Sequence, residues 1–208
     1  MLTDCNVCVI GLTGMSGAGK TTACEAFSEC GVDIINCDLV ARTVVLKGRP
    51  ALKELMNYFG NEIILPDGTL DRKKIGNLIF SDESARLAFN DIIYPYISYE
   101  IIMNAVEYIK MGSGYVLLDA PTLFESGTDS LCDVIVSVVA DYEDSVKRIM
   151  LRDNLNREEA ENRLSSQHTA DFYCEKSDYY VFNNGTREEL KCKIKSIFGL
   201  IGENNEKK

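Results

Sequence analysis

Residues Gly14-Met15-Ser16-Gly17-Ala18-Gly19-Lys20-Thr21 fill every defined position of the pattern G-x-x-x-x-G-K-[ST]. The octet follows an apolar, β-branched run at 7–12 and opens a helix-compatible stretch at 20–29 that stops before Gly31. Strand, glycine loop and helix in that order constrain the chain more than anything else in it. The glycines let the backbone curl so that successive N–H groups point at phosphate oxygens, and the helix N-terminus adds positive potential. Lys20 would bridge the β and γ phosphates, and Thr21 would offer its hydroxyl to Mg²⁺. A bare tight turn explains the glycines but not the Lys-Thr that follows them. The expected ATP-binding set is Gly14, Met15, Ser16, Gly17, Ala18, Gly19, Lys20, Thr21 and the adjoining Thr22.

The rest of the chain repeats the alternation. Short apolar runs at 33–37, 115–118, 134–139 and 179–182 read as further strands, and the patterns at 143–152, 157–166 and 186–197 read as helices. Buried strands alternating with helices imply an α/β protein, with a parallel sheet covered on both faces. The long interval 40–112 departs from this. Its only strand candidate is 62–65, and Gly60, Pro66-Asp67-Gly68 and Pro95 divide it into helical stretches. We read a nucleotide-binding core (1–39, 113–151, 177–201), a helical insertion (40–112), a lid (152–176) and a frayed polar tail (202–208).

Composition narrows the function. The 208 residues carry a formal net charge of −10, which argues against a broadly basic binder of nucleic acid or of an anionic membrane. No apolar run reaches the roughly 18–20 residues of a membrane span. The opening Met1-Leu2-Thr3-Asp4 lacks the basic flank of a secretory leader, so the default expectation is a cytoplasmic protein. Eight scattered cysteines then read as buried small residues and free thiols. Cys5-x-x-Cys8 lacks the second pair that a tetrahedral zinc site needs, and reads as strand residues.

Two further features bear on chemistry. Asp119 ends the apolar run at 115–118, as a magnesium-supporting aspartate would, although strands also end in Asp as a turn starter. Arg148, Arg152, Arg157 and Arg163 lie in a helix–turn–helix stretch suited to carrying cations onto phosphates in transit, Arg152 foremost among them. Glu158, Glu159 and Glu161 interleave them, as on a solvated helix face. No Asp-x-x-Gly occurs, and the nearest approach to a guanine-reading Asn-Lys-x-Asp is Glu175-Lys176-Ser177-Asp178, which disfavours a GTPase. A short phosphate-loop chain with a helical insertion suits a small-molecule kinase, which excludes water from the transfer.

Specific blocks carry the reading further. They are Gly11-Leu12-Thr13-Gly14, Asp38-Leu39-Val40-Ala41-Arg42, Gly68-Thr69-Leu70-Asp71-Arg72, Phe89-Asn90 with Tyr94-Pro95, Pro121-Thr122-Leu123-Phe124-Glu125, Arg152-Asp153, Arg163 with Gln167, and Asp178 through Asn183 to Gly185. In this order, over about residues 9–190, they resemble the dephospho-coenzyme A kinases. The resemblance implies the strand order 2-3-1-4-5 of nucleoside-monophosphate-kinase-like proteins. It also implies ATP-dependent phosphorylation of the ribose 3′-hydroxyl of dephospho-CoA, the last step of coenzyme A synthesis. On the family pattern Asp38 falls at the catalytic base and Arg42 at an acceptor-side arginine. Asp71, Arg72, Leu123, Phe124 and Glu125 fall around the acceptor, and Asn183, Asn184 and Gly185 near the adenine of ATP. A carboxylate beside a secondary hydroxyl can orient it and take its proton late in a loose transition state. Asp38 and Asp71 are each also placed to cap a helix. The chain departs from the family at Tyr94, where His is usual, at Thr122, where Leu is usual, and at His168-Thr169, where Met-Pro is usual. It also has Tyr173 where a Lys is usual, with Lys176 a turn away. His168, the only histidine, reads as a surface or lid residue.

Overall fold

The computed structural model describes residues 7–205. The readings made at residues 1–6, Cys5 included, lie outside them. Five strands, β1 (Cys8–Gly14), β2 (Asp33–Asn36), β3 (Tyr115–Asp119), β4 (Val134–Val139) and β5 (Tyr179–Phe182), form one sheet in the order β2-β3-β1-β4-β5. The parallel sheet and its order are those expected. Central β1 is buried along its whole length, between β3 (Ile10 opposite Leu117) and β4 (Leu12 opposite Val136). It runs two residues beyond the predicted strand because Thr13 and Gly14 still pair with Ser137 and Val138.

The chain divides into two compact units, Asn36–Glu107 and the remainder. In the sheet unit, helices α1 (Lys20–Glu29), α6 (Tyr142–Asp153), α7 (Arg157–Ser165), α8 (Ala170–Lys176) and α9 (Arg187–Asn205) enclose a core of Ile10, Leu12, Phe27, Leu117, Val136, Ile149, Tyr173, Leu190 and Ile194. Helices α1 and α9 are clasped by Glu29, which takes Lys191 at 2.5 Å and Lys195 at 2.8 Å. These two cations pull its carboxyl down to about 2. The tail was expected to fray from 202. It stays helical to Asn205 because Ile201 is buried and Asn204 donates to the Tyr179 hydroxyl at 3.0 Å. None of the seven cysteines described is in a disulfide, and Cys8 is buried at the start of β1. Among the described residues no helix is long and apolar enough to cross a membrane.

The helical unit contains α2 (Cys37–Thr43), α3 (Pro50–Phe59), α4 (Arg72–Ser81) and most of α5 (Glu83–Lys110). Two expectations fail here. Residues 62–65 are not a strand: a 3₁₀ turn, Asn61–Ile63, leads into a single antiparallel bridge between Ile64 and Leu70, closed across the Pro66-Asp67-Gly68 turn. Pro95 does not separate two helices, since α5 runs through it. Ile93, Ile97, Ile101 and Ala105 form one buried stripe on both sides of the proline, and a stripe of that length outweighs one lost backbone bond. Arg49 to Glu100 at 2.8 Å and Tyr96 to Glu54 at 2.6 Å tie α5 to the helix-α3 region.

Candidate active site

The loop of residues 14–21 joins β1 to α1 at the centre of the sheet. Its shape depends on residues far away in the chain. Gly14 has φ 142°, and a Cβ there would stand 2.0 Å from the Val138 carbonyl oxygen, so only glycine fits. Gly19, the cap of α1, has φ 104°, and a Cβ would meet the Asn183 amide nitrogen at 2.5 Å. Within the loop, the Met15 amide donates to Val138 O and the Ala18 amide to Met15 O. The first turn of α1 has no intrahelical acceptors for its N–H groups. Amides so placed, with the helix dipole behind them, are the kind of groups that attract an anion.

Three side chains brace the loop from outside. Asn183 Nδ2 donates to Ala18 O at 2.7 Å. Arg148 Nη1 donates both to Gly17 O at 3.3 Å and to Asn183 O at 3.0 Å. Gln167 Oε1 accepts from the Ser16 amide at 2.9 Å. Arg148 and Asn183 thus fix the Gly17 and Ala18 carbonyls of the loop. Asn183, expected beside adenine, is placed against the loop itself, while Asn184 accepts from the Asp141 amide at 3.0 Å. Gly185 follows, with the Glu189 carboxylate 2.1 Å from where its Cβ would be.

Lys20 and Asp119, read separately from the sequence, form an ion pair. The ammonium, at the N-terminus of α1, donates to the carboxylate that ends β3, and both are largely buried. Thr21 lies beside them in the first turn with an exposed side chain. One turn on, burial and the Asp119 carboxylate push the Cys24 thiol up to about 11, which keeps it protonated and unreactive at neutral pH.

Arg152 and Arg163 converge on Asp153. Arg152 grips it through Nε and Nη2, both at 2.8 Å, and Arg163 Nη1 adds a bond at 2.7 Å. The Arg152 bond holds the Asp153 carboxyl below its usual range. Arg152 is thus steered by a carboxylate and keeps its Nη1 edge clear of these bonds. Arg157 binds Glu143 and Glu161, both at 2.7 Å, as an exposed helix-face residue would.

Leu123 is fully buried, and Phe124 packs edge-on against Phe172, ring centroids 5.4 Å apart. His168 stacks on Phe172 at 3.7 Å, and its Nε2 lies 3.6 Å from a Glu125 carboxylate oxygen. It is a half-exposed residue of the α7–α8 connection. Tyr173 is wholly buried beneath it and its hydroxyl has no hydrogen-bond partner. Burial first, and then the Glu125 charge, push this phenol up to about 12. We expect Tyr173→Phe to leave stability unchanged or raise it by about 1 kcal/mol, because it deletes an unsatisfied buried donor. Urea unfolding measures this, and a clear loss would show that the hydroxyl is bonded after all.

In the helical unit, Asn36 caps α2 by accepting from the Leu39 amide at 2.8 Å. Asp38, in the first turn, is therefore relieved of the capping role. It is exposed, with Arg42 one turn away on the same helix. Asp71 does cap its helix, accepting from the Lys74 amide at 2.9 Å, and Arg72 Nη2 donates to Arg42 O at 3.1 Å. Arg42, Asp71 and Arg72 thus gather at one corner of this unit. The sequence reading missed Arg148 and Gln167 as supports of the loop. The available signals were that Arg148 flanks the buried positions 145 and 149 on an amphipathic helix and that Gln167 stands in one of the family blocks.

Comparison with known proteins agrees with this architecture. The family model for dephospho-CoA kinase (CoaE) matches residues 8–189. Dephospho-CoA kinases of Bacillus anthracis and Listeria monocytogenes serotype 4b are each 38% identical, over 91% and 89% of this chain and 94% and 92% of their own. The Bacillus licheniformis enzyme is 33% identical over 91% of this chain and 94% of its own. Among solved structures, TT1252 from Thermus thermophilus superposes with a TM-score of 0.77 at 25% identity, covering 93% of this chain and 97% of that one. Dephospho-CoA kinase from Campylobacter jejuni gives 0.69 at 23% identity, covering 95% and 98%. Shikimate kinase from Acinetobacter baumannii shares the fold, at 0.54 and 19% identity over 97% of each chain. With the family model matched over residues 8–189, well over half of the chain, the chain belongs to the dephospho-CoA kinase family.

Proposed function

We propose that the protein transfers the terminal phosphoryl group of ATP to the ribose 3′-hydroxyl of dephospho-CoA, the reaction of its family, releasing CoA and ADP. The observation that carries this is the family match over 8–189, which takes in both the phosphate loop and the helical unit. The loop amides and Lys20 hold the phosphate chain, and Lys20 exchanges its Asp119 partner for phosphate oxygens when nucleotide enters. Asp38 orients the acceptor hydroxyl and takes its proton. Arg42, Asp71, Arg72, Leu123, Phe124 and Glu125 recognise the acceptor, and residues 152–176 act as a lid that brings Arg152 to the transferring group.

Thr21 and Asp119 are hard oxygen donors suited to Mg²⁺, and the Asp119 carboxylate already faces a cation, the Lys20 ammonium. When bound, that ion neutralises charge on the β and γ phosphates. Asn183, which braces the loop, and Gly185 two residues on border the nucleotide.

The test is ADP release from MgATP with and without dephospho-CoA, with Lys20→Ala as the blank. Acceptor-dependent ADP with CoA as product is the expected result. A sample that binds ATP but is not stimulated by dephospho-CoA would discard this acceptor and leave a nucleoside or nucleotide kinase, or a regulator that binds ATP without transferring phosphate.

A further inference from the structure

Gln167 occupies an unusual place. It follows the Ser166 cap of α7 and precedes Thr169, whose hydroxyl caps α8 by accepting from the Phe172 amide at 3.3 Å. Its own backbone amide bonds to Leu164 O at 3.1 Å, and buried Leu164 and Tyr173 anchor the helices on either side. The side chain therefore springs from a fixed backbone. It reaches across 151 residues of sequence to the Ser16 amide, inside the phosphate loop.

The chemistry of that bond fixes which end of the carboxamide points where. A backbone N–H can only donate, so the end facing Ser16 is the carbonyl oxygen. The NH₂ end is left over, and it meets no acceptor among the described residues. The neighbouring loop is held as well, by Met15 to Val138 and Ala18 to Met15. A neutral double donor is thus held in a set orientation, on the loop that receives the phosphate chain. Donors fixed before reaction, where charge develops on the phosphoryl oxygens, are the kind of group that lowers a transfer barrier.

We infer that Gln167 is a phosphoryl-facing residue: anchored through Oε1 by the Ser16 amide, it presents Nε2 to the oxygens of the terminal phosphate of ATP. This rests on the kinase reading above. It gives the 166–169 segment a direct part in the reaction, in addition to Arg152.

Two substitutions test it, with folding checked by circular dichroism. Gln167→Ala removes both ends and should lower kcat by about 10²-fold. It should also weaken the β,γ-imido analogue of ATP about tenfold while leaving the affinity for MgADP within about twofold. Gln167→Glu keeps an oxygen for the Ser16 amide but turns a second oxygen toward the phosphoryl group. It should lose at least as much as the alanine variant. A glutamate variant close to wild type would overturn the inference, because accepting the Ser16 bond would then be the whole role. Tighter binding of the analogue by Gln167→Ala would also overturn it, by making Gln167 a competitor of phosphate. So would an equal loss of affinity for both nucleotides, which marks a general disturbance of the loop. The nucleotide comparison needs no acceptor, so failure of the wild type on dephospho-CoA would count against the acceptor and not against Gln167.

Discussion

Lys20→Ala lowers turnover by about 10³-fold, the scale on which one cation fixed at a transferring phosphoryl group acts. The same substitution has a second effect, visible in the resting structure. Lys20 is paired with Asp119, and both side chains are largely buried, so the truncation takes that cation from the carboxylate. A loss of stability on the order of 1–3 kcal/mol accompanies the loss of activity. The two effects separate by measuring kcat from ADP release and stability from urea unfolding on the same sample. Turnover within tenfold of wild type in a folded variant contradicts the assignment. Lys20→Met, which keeps the alkyl stem, should match alanine in activity while retaining more of the packing.

Asp38→Asn gives the other large effect. The substitution is isosteric, and Asn36 rather than Asp38 caps α2. Stability should therefore fall by no more than about 1 kcal/mol, the worth of a first-turn carboxylate to a helix dipole. Turnover should fall by about 10²–10⁴-fold, because an amide cannot take the proton of the attacking hydroxyl. The affinity for MgATP should not change. Near-normal turnover by the folded Asp38→Asn protein would falsify the base assignment, and a parallel loss of ATP affinity would point instead to a role in the nucleotide site.

The sheet was legible because its strands are short, apolar, β-branched runs bounded by glycine, aspartate or proline, and buried strands have few other ways to be written. Runs 134–139 and 179–182 match β4 and β5 to the residue. Strand order was not legible from periodicity, which is blind to neighbours; it came from family resemblance. Pro95 misled because backbone chemistry marks a break, while the buried stripe that overrides it appears only when Ile93, Ile97, Ile101 and Ala105 are seen on one face. Helix α8 has only seven residues, too few for a period to declare itself. In the site the same contrast holds. The loop residues lie together in the chain and announce themselves. Arg148 and Gln167 act on that loop from 131 and 151 residues away, and no local pattern joins them to it.

That distance has a consequence for how the protein comes into being. The phosphate-loop motif is complete once Thr21 has been synthesised, yet the bonds that shape the loop come from Arg148, Gln167 and Asn183. Chains are made from the N-terminus and domains settle as units. A growing chain halted before residue 183 would carry the entire motif without the full set of side chains that brace its loop. The bracing of the loop thus waits on Asn183, made 165 residues after the Ala18 whose carbonyl it holds.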